Sequence, residues 1–341
     1  MNHVNPLMSY AEVRVPFPDP ASMWRSTTAE AWKTAWTSGA KSMTEKAPAL
    51  SDAVRVSISE VARLDLNIDA ILFTLYGFWG LVWEQQQFQE AMQSGDMTGG
   101  DTIHDTPSLM LPARREPLSR VFRALRERLV SSSNEDARAP TADPLLVLEY
   151  LSMALHVPLQ GLHAFAGRDG EREARRIYPL LQEWVQSKEA RQGIWHAAQV
   201  LRAAKAHPSR DIRDLRVIMV YQASITLWVY GVILRASRGT TRLLLAEDVD
   251  PSRLVWLDGG DKSTAVRKFI SIAEGIPALR AVADGSEDED SICLVENASS
   301  TMETGIRILR RSIDSRDGAP LALVESITKL MTEIAKVANI L

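Results

Sequence analysis

The stretch VIMVYQASITLWVYGVIL, Val217 to Leu234, decides the fold. It carries no charged residue, and Arg216 and Arg235 stand at its two ends. Its length is at the short end of what a membrane-spanning helix needs. Three polar residues interrupt its middle, namely Gln222, Ser224 and Thr226. Because a helix that is apolar all round can form the centre of a large bundle, the run favours a buried core helix over a membrane span.

Further helices are predicted on both sides of this core helix. Apolar residues recur at helical spacing in several other segments, among them Ile68 to Met92, Arg114 to Val130, 296–313 and 319–340. The sequence therefore predicts an all-α fold, a large irregular bundle of about ten helices. One irregular insertion is expected near residues 238–262, where Gly, Asp and Pro separate short apolar runs.

The predicted domain organisation is simple. Residues 1–22 are expected to be an extended lead-in, because Pro16, Pro18 and Pro20 at alternate positions block helix formation. Residues 23–341 are predicted to form a single helical domain. A sub-boundary is possible at the polar loop 131–143.

Composition excludes some classes of protein. The chain has 341 residues, of which 45% are hydrophobic and 24% charged, which is ordinary for a globular protein. Its one cysteine, Cys293, excludes an internal disulfide framework and any zinc finger, since both need at least two thiols. Net charge is −4 (39 basic against 43 acidic residues), so the whole chain has no electrostatic attraction to a phosphate backbone.

No catalytic or metal-binding pattern stands out. None of the six histidines lies three to five residues from another, the usual spacing of metal ligands. Gly259 to Ser263 faintly resembles a phosphate loop, but Asp261 precedes Lys262 and its carboxylate would repel phosphate. The acidic run Glu287 to Asp290 is contiguous and favours a solvated loop. We therefore predict no enzyme activity, no catalytic residues, no metal site and no cofactor in this chain.

Two segments carry a family pattern. In the first, Val13 to Trp36, an apolar lead-in rich in proline precedes Met23-Trp24, and Glu30-Ala31-Trp32 follows after a linker of small residues. The second runs from Glu149 to Lys205. It contains LHAFAGR ending at Arg168, then Trp184, then EAR ending at Arg191 and WHAAQV beginning at Trp195. A weaker third segment comprises Ala223 to Gly231, and then Leu257-Asp258-Gly259 followed by Phe269 and Pro277.

In this order, the segments resemble the all-helical regulatory region that follows the zinc fingers in fungal transcription factors. The resemblance implies a nuclear protein that modulates transcription by RNA polymerase II. Its partners would be proteins of the transcription machinery or a linked DNA-binding domain, and a homodimer is possible. In that family, zinc binding and DNA contacts belong to the fingers, whose residues have no counterpart here. We therefore expect no direct DNA binding and no membrane association, whether the chain is a fragment, a truncated gene product or a fingerless paralogue.

The residues of this family signature also define a possible sensing seam. The set comprises Trp24, Trp32, His163, Arg168, Trp184, Arg191, Trp195, His196 and Gln199. Arg191 and Trp195 are four residues apart, so a cation–π contact is geometrically possible. His196 and Gln199 share one helix face and can bond to each other or to a neighbouring helix. We favour a helix hairpin with buried tryptophans and a structural polar seam over a seam that senses a ligand or partner.

A second class of function comes from the aromatic residues. Five of them fall on predicted core helices, namely Trp184, Trp195, Tyr221, Trp228 and Tyr230. Such residues usually pack in the core with a satisfied polar tip. If they instead line a pocket between helices, the chain is a small-molecule-binding protein or a helical enzyme.

Overall fold

The computed structural model describes residues 12–17, 21–39, 49–60, 68–94, 106–132, 138–207, 212–239, 247, 249–259, 263–280, 292–314 and 322–337. Within these residues lie 13 α-helices and three short β-strands. The prediction of a predominantly helical fold with about ten helices is therefore confirmed. The predicted acidic loop at Glu287 to Asp290 and most of the lead-in 1–22 lie outside the described residues.

The chain divides into two compact units, Met1–Pro144 and Leu145–Leu341. The division falls directly after the loop predicted at 131–143, but most of that segment is helical. One helix continues to Ser132 and the next begins at Arg138. Pro144 lies inside this second helix. A proline there removes one backbone hydrogen bond, and the helix continues past it.

The first unit contains helices α1 to α5. Their bounds are Ala21–Trp24, Ala29–Gly39, Leu50–Glu60, Ile68–Ser94 and Thr106–Ser132. Helices α3, α4 and α5 pack together, and the rings of Phe78 on α4 and Phe122 on α5 meet edge to face at 5.5 Å. In the described part of the lead-in, Pro16 forms an isolated antiparallel bridge with Ala49 just before α3.

The second unit is built around one central helix. Its helices α6 to α13 are Arg138–Ala154, Leu159–Phe165, Glu171–Gln186, Lys188–Lys205, Leu215–Arg238, Thr264–Ile272, Ala298–Asp314 and Ala322–Val337, of which α6 begins in the first unit. Helix α10 packs against α7, α8, α9, α12 and α13. The stretch quoted at the outset lies within α10, so the core helix predicted from it is the packing centre of this unit.

Helix α10 is close to its neighbours along much of its length. A Cβ atom on Gly305 of α12 would lie 2.0 Å from Ser224 Oγ, and one on Gly231 would lie 2.2 Å from the Val295 carbonyl oxygen. Because glycine has no Cβ atom, α12 can lie close to α10 at Gly305, and α10 can lie close to the Val295 backbone at Gly231. Of the individual helices in the described residues, α10 alone is long and apolar enough to cross a membrane. Its most apolar 18-residue segment is 83% buried inside the protein. This burial is what a core helix requires.

A small sheet begins in the predicted irregular insertion. Strands β1 (Leu254–Trp256) and β2 (Ile276–Arg280) pair in parallel, with α11 connecting them. Strand β3 (Ile292–Leu294) then pairs with β2 in antiparallel orientation. Strand β1 lies within the predicted insertion, α11 begins at Thr264 directly after it, and β2 and β3 follow α11. The strands have three to five residues each, too short for the alternation of apolar and polar residues to be read from the sequence.

Candidate functional site

Helix α9 carries four of the nine predicted site residues, and its start is well defined. Ser187 is the N-cap, and its Oγ accepts a hydrogen bond from the Ala190 amide at 3.0 Å. Glu189 lies in the first turn and Lys205 in the last, where each charge is favourable to the helix dipole. From Gly193 to Leu201 every residue is buried. The polar side chains of His196 and Gln199, within this stretch, therefore lie in the interior of the unit, where each requires a partner.

His196 has such a partner on α6. Its Nδ1 lies 2.8 Å from Oε2 of Glu149, and the two side chains are only 10% and 4% exposed. The ring of His156 stacks parallel to that of His196 at a centroid distance of 6.1 Å. A buried carboxylate is costly without a hydrogen-bonding partner, so this bond fixes the relative position of α6 and α9.

Arg191 connects the ends of two other helices. Its Nε donates to the Ile270 carbonyl oxygen at 3.0 Å, and its Nη1 donates to the Gln186 carbonyl oxygen at 2.9 Å. These carbonyls lie in the last turns of α11 and α8, where backbone oxygens have no partner within their own helix. A guanidinium group at these positions also interacts favourably with both helix dipoles. Arg191 is thus a cap shared by two helices.

Gln199 holds the turn that follows strand β1. Its Nε2 donates to the carbonyl oxygens of Leu257 at 2.7 Å and Gly259 at 2.8 Å. Its own Oε1 accepts from Arg202 Nη1 at 3.3 Å. Arg191 and Gln199 are eight residues apart on α9, and together they hold α11 and the turn after β1 against this helix.

The two tryptophans of this region are packing residues with polar tips. Trp184 donates from Nε1 to the His156 carbonyl oxygen at 3.0 Å, and its ring meets that of Tyr230 edge to face. The Trp195 ring lies edge-on to His196 with centroids 4.5 Å apart. Burial raises the pKa of Tyr230 to about 12, so its hydroxyl stays protonated at neutral pH. Trp184 therefore packs against Tyr230, and Trp195 packs against His196.

His163 and Arg168 lie away from these contacts of α9. His163 Nδ1 is 3.4 Å from the Tyr221 hydroxyl, and burial raises the pKa of Tyr221. Arg168 is exposed and donates to Gln160 and Asp169. Hydrogen bonding to Arg168 lowers the pKa of the Asp169 carboxyl group.

Trp24 and Trp32 belong to the first unit and are exposed. Trp24 ends α1 and is 75% exposed, whereas Trp32 on α2 is 45% exposed. The described residues therefore assemble five members of the predicted seam in and beside α9, namely Trp184, Arg191, Trp195, His196 and Gln199. The ability of this seam to sense a ligand stays a prediction.

Two polar residues of the core were not predicted as site residues. Glu149 binds His196, and the Tyr150 hydroxyl donates to Gln222 Oε1 on α10. Burial raises the pKa of Tyr150. The sequence carries a signal for each of these two bonds. Glu149 and Gln222 each interrupt a long apolar helical run, and each therefore needs a polar partner.

The described polar groups of α9 make bonds between structural elements. The polar groups of α9 meet a carboxylate and backbone carbonyl oxygens, which are bonds that join elements. Within the described ranges, no three or more His, Cys, Asp or Glu side chains converge as a metal site would require. The predictions of no metal and no enzyme activity stay predictions.

Comparison with protein-family models, curated proteins and solved structures finds no match to this chain. The resemblance to the regulatory region of fungal zinc-finger transcription factors therefore rests on the sequence segments alone.

Proposed function

We propose that the chain is a regulatory module of a transcription factor that modulates RNA polymerase II transcription through protein contacts in the nucleus. Zinc binding and DNA recognition would belong to a separate module, either linked to it or on a partner chain. The module would carry no catalytic residue, metal or cofactor of its own.

One observation supports this proposal most. The segment that carries most of the resemblance, Glu149 to Lys205, is a continuous set of helices, and its signature residues bond to neighbouring elements of the second unit. Arg191 and Gln199 connect this segment to the small sheet and α11. Signature residues that bond to neighbouring elements keep the fold in one shape. Such residues are expected in a scaffold that presents surfaces to other proteins.

A tethering experiment tests the proposal. The full chain is fused to an unrelated DNA-binding domain and directed to a reporter promoter with matching sites, and reporter transcript is measured. We expect transcription to rise or fall against the DNA-binding domain alone, and the change to disappear without the matching sites. Occupancy of the sites by an intact fusion with unchanged reporter transcription would reject the proposed function.

The aromatic-pocket hypothesis receives less support. The rings of Phe165 and Trp228 lie 6.1 Å apart, Phe165 also stacks on Tyr178, and Trp184 packs on Tyr230. Because these rings fill space with one another, a pocket lined by them would require the helices to separate.

A further inference from the structure

We draw no further inference here: the strongest candidate, the exposed apolar face that Trp32 and Trp36 form on helix α2, carries none because nothing in the described part of the chain shows what covers it.

Discussion

His196 and Glu149 are separated by 47 residues in the sequence, and their side chains meet at 2.8 Å in the interior of the second unit. The sequence predicted that His196 bonds either along its own helix face or to a neighbouring helix, and in the structure its partner is Glu149 on α6. Its partner could not be predicted, because pairing across 47 residues depends on how α6 and α9 pack. The presence of a lone carboxylate in an apolar run still indicated that a partner exists.

Breaking this pair should destabilise the second unit. His196→Ala leaves the Glu149 carboxylate buried without its imidazole partner, which is expected to cost about 3–5 kcal/mol. Glu149→Gln removes the charge but keeps a hydrogen-bonding oxygen, so its cost should be smaller. Urea unfolding followed by circular dichroism measures both, and the double variant gives the coupling between the two positions. Wild-type stability of His196→Ala would show that the pair contributes nothing.

Ala273 is a second residue with a specific conformational cost. It ends α11 with φ 58° and ψ 27°, in the left-handed region. This conformation costs a residue with a Cβ about 1–2 kcal/mol, and glycine adopts it freely. Because Ala273 is exposed, Ala273→Gly removes no packing and should raise the free energy of unfolding by about 0.5–1 kcal/mol.

A matched control for Ala273 lies in the same helix. Ala265→Gly, also at an exposed position, has no left-handed conformation to relieve and should lower the free energy of unfolding by up to about 1 kcal/mol. A loss of stability in both glycine variants would contradict the assigned strain at Ala273.

At the scale of the element, apolar spacing predicted the boundaries of several long helices, but α5 begins at Thr106, eight residues before the predicted Arg114. The core helix predicted at Val217 to Leu234 is α10, Leu215–Arg238, and the last helix predicted at 319–340 is α13, Ala322–Val337. The faces of the helices were harder to predict. Leu323 and Leu330 belong to the apolar stripe of α13 but are 41% and 44% exposed, whereas Val324 and Met331 are buried. The apolar residues of α13 cover more of the helix surface than its neighbours bury. The sequence therefore does not show which of these residues are buried.

Helix α9 provides a prediction for the sheet and α11. Gln199→Ala removes both of its hydrogen bonds to the turn after β1. Arg202 Nη1 still donates to the Gly259 carbonyl oxygen at 3.3 Å. The Leu257 carbonyl oxygen loses the Gln199 donor, which is expected to cost about 1–3 kcal/mol. Hydrogen–deuterium exchange should therefore become faster in β1 and α11, while α12 keeps its wild-type protection.

The control for this prediction is Gln192→Ala. Gln192 is the same residue type on the same helix, seven positions earlier, and it is half-buried. Exchange in its variant should resemble wild type throughout. Equal effects of the two glutamine substitutions, or none in either, would show that Gln199 does not hold the turn.

At the scale of the whole molecule, fold class followed from the sequence because the helical periodicity is strong and repeated. The possible sub-boundary at 131–143 stays a prediction, and a polar segment can be helical when the surrounding structure favours it. The small sheet was not predicted because its strands are short and β1 pairs with β2 across the intervening helix α11. The function remains a proposal that rests on the sequence resemblance and on the bonds that its residues make.

We propose that the chain regulates transcription by contacting proteins and does not itself recognise DNA. Its net charge of −4 agrees with this claim. The most direct measurement is selection by the purified full chain from a library of randomised DNA duplexes at physiological salt. We expect that no sequence becomes enriched over successive rounds. Enrichment of one sequence, bound tightly at that salt concentration, would contradict it.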